Sequence, residues 1–165
     1  MQQKRWTYTP NSEKSTKELE EKLGLSKELV ELLHQRGVTT FDEAQTFFRP
    51  QLEHIHDPFL MKDMDKAVAR VLKAFEKEEK ILVYGDYDVD GTTAVSLMYT
   101  FLIKHYPNVE FYIPDRYTEG YGVSYQGIDY AADNDFKLII ALDCGIKAIA
   151  KVAYAKEKGV DFIIC

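Results

Sequence analysis

Apolar positions along the chain change their period part-way, and the change separates a helical stretch from a strand-rich one. Ser15 and Glu18 have capping-box spacing ahead of Leu19 and Leu23, which predicts a first helix. A second short helix fits Leu29, Val30, Leu32 and Leu33 and ends near Gly37; a third starts at the capping pair Thr40 and Glu43 and stops before Pro50. Residues 1–14 carry no period and read as a loosely held tail. Residues 50–62 hold Pro50, Pro58 and the pair His54 and His56, and read as a connector, so 15–62 is a small helical cap with its linker. From Asp63 the positions Met64, Ala67, Val68, Val71, Leu72 and Phe75 recur at helical spacing with lysines and glutamates opposite, as in a helix lying on a sheet. Short apolar runs at 81–84, 109–113, 138–142 and 160–164 then alternate with helical stretches at 92–105, apolar nearly all round, and 146–158. That alternation predicts an α/β fold over 63–165, a doubly wound and mostly parallel sheet. Ligands of such sheets bind beyond the carboxyl ends of the strands.

Composition narrows the class. A chain of 165 residues, 45% hydrophobic and 29% charged, can bury one good core and carry a small appended unit. No stretch is long enough to span a bilayer and the basic start has no apolar run behind it, so a cytoplasmic protein with no membrane partner is expected. Cys144 and Cys165 are too few for a disulfide framework and are expected to be reduced, partly buried thiols. The net charge of -6 argues against a broad basic surface for nucleic acid. It leaves room for a metal-dependent nuclease, because bound cations reverse the local sign where a phosphate sits.

The candidate chemistry lies in Gly85-Asp86-Tyr87-Asp88-Val89-Asp90-Gly91, after the first strand, and in Asp143, after the third. Two carboxylates about 4 Å apart repel by about 4 kcal/mol at an effective dielectric near 20. Four of them expected on one rim therefore call for cations, and oxygen ligands suit Mn²⁺ or Mg²⁺ in a two-metal site for phosphate-ester hydrolysis. A helix-capping role through Thr92 or Asp90 needs one aspartate, not three. An EF-hand is excluded, since Leu97 stands where the bidentate Glu is required. Asp88-Val89-Asp90-Gly91-Thr92 also fits the nucleophile loop of haloacid-dehalogenase-type phosphatases, but that nucleophile directly follows its strand, and Gly85-Asp86-Tyr87 intervenes here. His54 and His56, alternate residues in a polar loop, are expected to be solvated.

Residues 84–93 resemble the first motif of the DHH phosphoesterases in the form found in the RecJ single-strand-specific exonucleases, and 142–146 resemble the second. The loop 113–122 and the lead-in 57–64 are similar to that family as well, so the resemblance spans about residues 20–165. It implies that Asp88, Asp90 and Asp143 are catalytic metal ligands, with Asp86 as a further ligand. Sister DHH phosphatases have a histidine where Tyr84 stands. Gly91 and Thr92 would turn backbone N–H groups toward a phosphate, Arg116 would clamp it, and Tyr121, with Tyr117 and Tyr125, could stack on bases. At least two of those three tyrosines are expected to pack on their own domain instead. In this family a strand like 160–165 leads into the Asp-His-His motif, so the resemblance implies an N-terminal part with an incomplete two-metal site, inactive alone. The implied parent activity is degradation of single-stranded DNA from the 5′ end in repair and recombination, with other repair proteins as partners. The non-enzyme rival, a DHH-fold scaffold of a replication complex, sits poorly with four retained aspartates.

Overall fold

The computed structural model describes residues 5, 7 and 13–165, so the tail expected over 1–14 falls almost wholly outside the described residues. The chain divides into two compact units, 1–57 and 58–165, with the boundary inside the connector. No helix among the described residues is long and apolar enough to cross a membrane.

In the first unit, α1 (Glu13–Leu23), α2 (Lys27–Gln35) and α3 (Phe41–Phe48) follow one another closely. Because α1 already contains Ser15, the capping box expected from Ser15 and Glu18 does not mark its start. The box at α3 does form: the Thr40 hydroxyl accepts from the Glu43 N–H while the Glu43 carboxylate accepts from the Thr40 N–H. Leu33, Val38 and Ala44 make a small core. His54 Nδ1 accepts from the Gln51 N–H at 3.2 Å, and both His54 and His56 are exposed, as expected of a solvated loop.

The second unit runs α4 (Met64–Glu76), β1 (Lys80–Gly85), α5 (Val89–Leu102), β2 (Val109–Tyr112), α6 (Tyr125–Asp133), β3 (Phe136–Leu142), α7 (Ile149–Glu157) and β4 (Asp161–Ile164). Its four strands are parallel in the order β2-β1-β3-β4, the doubly wound sheet that the strand–helix alternation predicts. Alternation along β1 and β3 sends Ile81, Val83, Leu138 and Ile140 to a core shared with α4 and α5. Leu82, Tyr84, Ile139 and Ala141 face the other side, toward α6 and α7. Each fully buried Ile or Leu contributes about 1.5–3 kcal/mol, so the central strand pair, buried on both faces, is the stability centre of the unit.

Two differences from the sequence reading matter for the site. First, α5 starts at Val89 and not at Thr92, because Asp88 caps it: the Asp88 Oδ1 accepts from the Gly91 N–H at 2.9 Å. The helix, though apolar nearly all round, leaves Leu97 at 73% and Phe101 at 58% exposure. Second, α6 has no counterpart in the reading. Ser124 caps it through the Gly127 N–H at 2.8 Å, and Ile128 and Ala131 are its buried positions.

Candidate functional site

From β1 the chain turns one way to β2 and then returns across β1 to β3, so the strand order reverses between β1 and β3. Gly85 pairs with Leu142 in register. The next residues on these neighbouring strands are Asp86 and Asp143, which therefore leave the sheet side by side, about one strand spacing of 4.8 Å apart. Asp143 takes φ 56, a left-handed conformation that aspartate tolerates better than most residues, and its N–H donates to the Cys165 carbonyl at 3.2 Å.

Asp86 is 0% exposed. Its Oδ1 accepts from the Tyr87 N–H at 2.8 Å, while its buried Oδ2 has no partner. A buried carboxylate oxygen left unpaired is costly, and a cation is the group that would satisfy it. None of the ion pairs among the described residues includes Asp86, Asp88, Asp90 or Asp143. Their field is felt nearby: the Tyr121 phenol is raised first by Asp86, with Asp88 and Asp143 adding to it. Burial, and after it Asp86, Asp143 and Asp88, pushes the Cys144 thiol up to about 11.

Three carboxylates, those of Asp86, Asp88 and Asp143, thus share one electrostatic neighbourhood. Asp88 is the extended N-cap of α5 and Asp90 lies in its first turn. Among the described residues no three His, Cys, Asp or Glu side chains form a ready cage for a metal ion. One oxygen of Asp88 accepts from the Gly91 N–H and one oxygen of Asp86 from the Tyr87 N–H. The hard oxygen donors and the orphaned Asp86 oxygen fit a divalent cation such as Mn²⁺ or Mg²⁺.

The phosphate-facing role expected of Gly91 and Thr92 does not survive. The Gly91 N–H is spent on the Asp88 side chain, and the Thr92 N–H and hydroxyl both donate to the Asp88 carbonyl, at 3.0 and 2.7 Å. Gly91 lies inside the helix and is needed for close approach to Asp86, not for a turn. Arg116 meets Tyr87, which stands between Asp86 and Asp88. Its guanidinium lies over the Tyr87 ring, 5.1 Å from the centroid, and Tyr121 meets the same ring edge-on at 6.2 Å. Tyr87 is thus a site residue that the sequence did not single out; its place between Asp86 and Asp88 was the available signal. All three tyrosines are exposed, Tyr117 at 91%, Tyr121 at 67% and Tyr125 at 45%, and Tyr125 meets the Tyr154 ring edge-on at 5.2 Å. The expectation that two would pack inward fails because the loop is held by other residues. Tyr84 points away from the rim to do part of that work, its hydroxyl donating to the Gly122 carbonyl at 2.9 Å and accepting from the Ser124 N–H at 3.0 Å.

The model of the DHH family, N-terminal domain, matches residues 80–165, the stretch that holds β1, β3 and all four aspartates. The chain belongs to the DHH family. Among other members, the single-stranded-DNA-specific exonuclease RecJ of Bacillus subtilis (strain 168) is 40% identical over 160 residues, 97% of this chain and 20% of that protein. RecJ of Escherichia coli (strain K12) is 29% identical over 153 residues, 90% of this chain and 26% of that protein. The chain therefore spans about a fifth to a quarter of the length of these relatives. A crystal structure of exonuclease RecJ bound to manganese superposes with a TM-score of 0.57 at 31% identity, covering 63% of this chain and 27% of that one. RecJ from Thermus thermophilus in complex with Mn²⁺ gives 0.67 over 93% of this chain and 21% of that one; at 22% identity it speaks for the fold alone.

The raised thiol gives a check on this DHH site. At pH 8 about one Cys144 thiol in a thousand is ionised, so iodoacetamide is expected to modify it far more slowly than a free cysteine. Burial is the larger cause, so Asp86→Asn should speed the reaction only modestly. Mass mapping of the Cys144 peptide reads the rates; modification as fast as for a free thiol would contradict the burial and the charge together.

Proposed function

We propose that this chain is the N-terminal part of a divalent-metal-dependent exonuclease that hydrolyses phosphodiester bonds of single-stranded DNA, 5′ to 3′, in DNA repair and recombination in the cytoplasm. The observation that carries the reading is the pairing of Asp86 and Asp143 at the ends of adjacent register-matched strands, with one Asp86 oxygen buried and unpartnered. The similarity to RecJ proteins supports the substrate class.

In this reading Asp86, Asp88 and Asp143 hold Mn²⁺ or Mg²⁺, and Asp90 joins them through the family's Asp-x-Asp pair. A cation held there would supply an acidified water and offset charge developing on the phosphate. The protein's own groups do the positioning. The Asp88 carboxylate is oriented by the Gly91 N–H, and the Asp86 carboxylate by the Tyr87 N–H. Arg116 offers a guanidinium fork for phosphate oxygens, prealigned on Tyr87. Tyr121, exposed beside the carboxylates, offers a ring on which the terminal base stacks. The family's remaining ligands complete the two-metal site, so the 165-residue chain by itself is expected to bind metal weakly and to turn over little.

Mn²⁺ calorimetry tests the site. Asp86→Ala and Asp143→Ala are each expected to weaken binding by at least about tenfold, the scale that even outer-shell losses reach. Asp88→Ala and Asp90→Ala, at the family's Asp-x-Asp pair, should weaken it as well. In the intact gene product, Mn²⁺-dependent degradation of 5′-labelled single-stranded DNA should fall with Asp143→Ala. Unchanged metal binding in both the Asp86 and Asp143 variants would refute the assignment.

A further inference from the structure

The segment joining β2 to α6 is held by a hydrogen-bond cluster that neither metal ligation nor phosphate binding uses, and Glu119 is at its centre. Glu119 Oε1 accepts from the Asp115 N–H at 2.8 Å. Its Oε2 accepts from the Tyr112 hydroxyl at 2.9 Å and from the Ser124 hydroxyl at 2.5 Å. The Glu119 N–H donates back to the Asp115 carbonyl at 3.0 Å, which closes the turn on itself. One carboxylate therefore fastens the start of the loop, the last residue of β2 and the cap of α6. The two groups that lean on Tyr87, Arg116 and Tyr121, lie on either side of this fastening.

We propose that Glu119 is a positioning residue: its carboxylate presets the loop so that Arg116 and Tyr121 face the carboxylate rim before a strand arrives, and so sets affinity for the strand's end more than the hydrolytic rate. The proposal rests on the phosphodiester reading above. Ordering a loop in advance spares binding the entropy of doing so. The chemistry requires this side chain. A glutamine offers one acceptor oxygen and one amide donor, which cannot receive two hydroxyls on one end and a backbone N–H on the other. Aspartate is one methylene too short to reach both sides. Burial, with Glu119 beside it, raises the Tyr112 phenol, so Tyr112 stays protonated and remains a donor.

The test uses the intact gene product, a 5′-phosphorylated oligothymidylate and Mn²⁺. Glu119→Gln is expected to raise KM about tenfold, the worth of one hydrogen bond to a charged acceptor, with kcat changed by less than about twofold. Tyr112→Phe, which removes one donor and leaves the carboxylate, should show a smaller change in the same direction. In an Arg116→Ala, Tyr121→Ala background the further effect of Glu119→Gln should nearly vanish, because Glu119 acts through these two residues. Limited trypsin digestion reads the loop without any activity: cleavage after Arg116 should accelerate in Glu119→Gln while the melting temperature barely moves. A fall in kcat with KM unchanged, effects that multiply in the Arg116→Ala, Tyr121→Ala background, or an unaltered tryptic rate would each overturn the proposal. Absence of any DNA cleavage by the wild type would instead overturn the functional reading, and the tryptic rate would still decide whether Glu119 fastens the loop.

Discussion

Replacing Gly91 with alanine is expected to cost the α/β unit about 3 kcal/mol or more, the upper end for overpacking, and to abolish metal binding at the rim. A β-carbon at Gly91 would lie 2.5 Å from the carbonyl oxygen of Asp86, 2.7 Å from its nitrogen and 2.9 Å from its carbonyl carbon. All three are backbone atoms, so no rotamer change relieves the contact. Either α5 or the end of β1 must move. The mirror restriction holds at Gly85, where an added β-carbon would meet the Val95 side chain and come within 3.0 Å of the Gly91 carbonyl oxygen. The two glycines let a helix start press directly on a strand end, and that contact places Asp88 and Asp86 together. Urea unfolding and Mn²⁺ calorimetry on Gly91→Ala check both halves. A wild-type midpoint would mean that the start of α5 does not pack against Asp86.

Tyr84→Phe should cost about 3 kcal/mol at pH 8, since it strands two buried backbone groups at about 1–3 kcal/mol each. The groups are the Gly122 carbonyl and the Ser124 N–H, both tied to the Tyr84 hydroxyl. Burial pushes the Tyr84 phenol up to about 12, with the Ser124 hydrogen bonds opposing it. A folded pKa above the unfolded value near 10 gives stability that is whole below pH 10 and is lost as pH rises through about 12. The wild type should therefore weaken over that window, and the gap to Tyr84→Phe should narrow. The Cys144 thiol, raised to about 11 from 9.0, adds a loss of the same sign that begins earlier and is common to both proteins. Urea midpoints of both proteins from pH 8 to 12 would read this. A constant gap would mean that Tyr84 ionises as a free phenol does.

The sheet was legible because β1 and β3, buried on both faces, must be written as unbroken apolar runs. Asp86 and Asp143 were legible for the same reason, as the first charged residues after those runs. What α6 buries is slight, Ile128 and Ala131 among tyrosines, and Gly127 in its first turn looks like a helix breaker. Yet a β-carbon at Gly127 would come within 2.6 Å of the Tyr84 ring, a demand made by tertiary packing and invisible to local propensity. The sequence weighed a helix cap only at Thr92 or Asp90 and read Asp88 as a ligand. In the structure Asp88 is the cap, which starts the helix at Val89, three residues before the start that the apolar pattern marks. Glu119 gave no sequence signal, since a single acidic residue in a polar loop looks solvated until its donors are brought to it by β2 and α6.

The pairing of Gly85 with Leu142 makes the site adjustable only in steps. A backbone ladder cannot slide continuously. Its smallest slip is one residue, about 3.3 Å, and that slip throws every side chain to the opposite face. Under the proposed function, fine calibration between ions of different radius would fall to the length of the carboxylate arm. Choosing Asp or Glu at positions 86 and 143 moves an oxygen by one methylene while the strands stay where they are, so a change of preferred cation in this scaffold would be written at those two positions and not in the core.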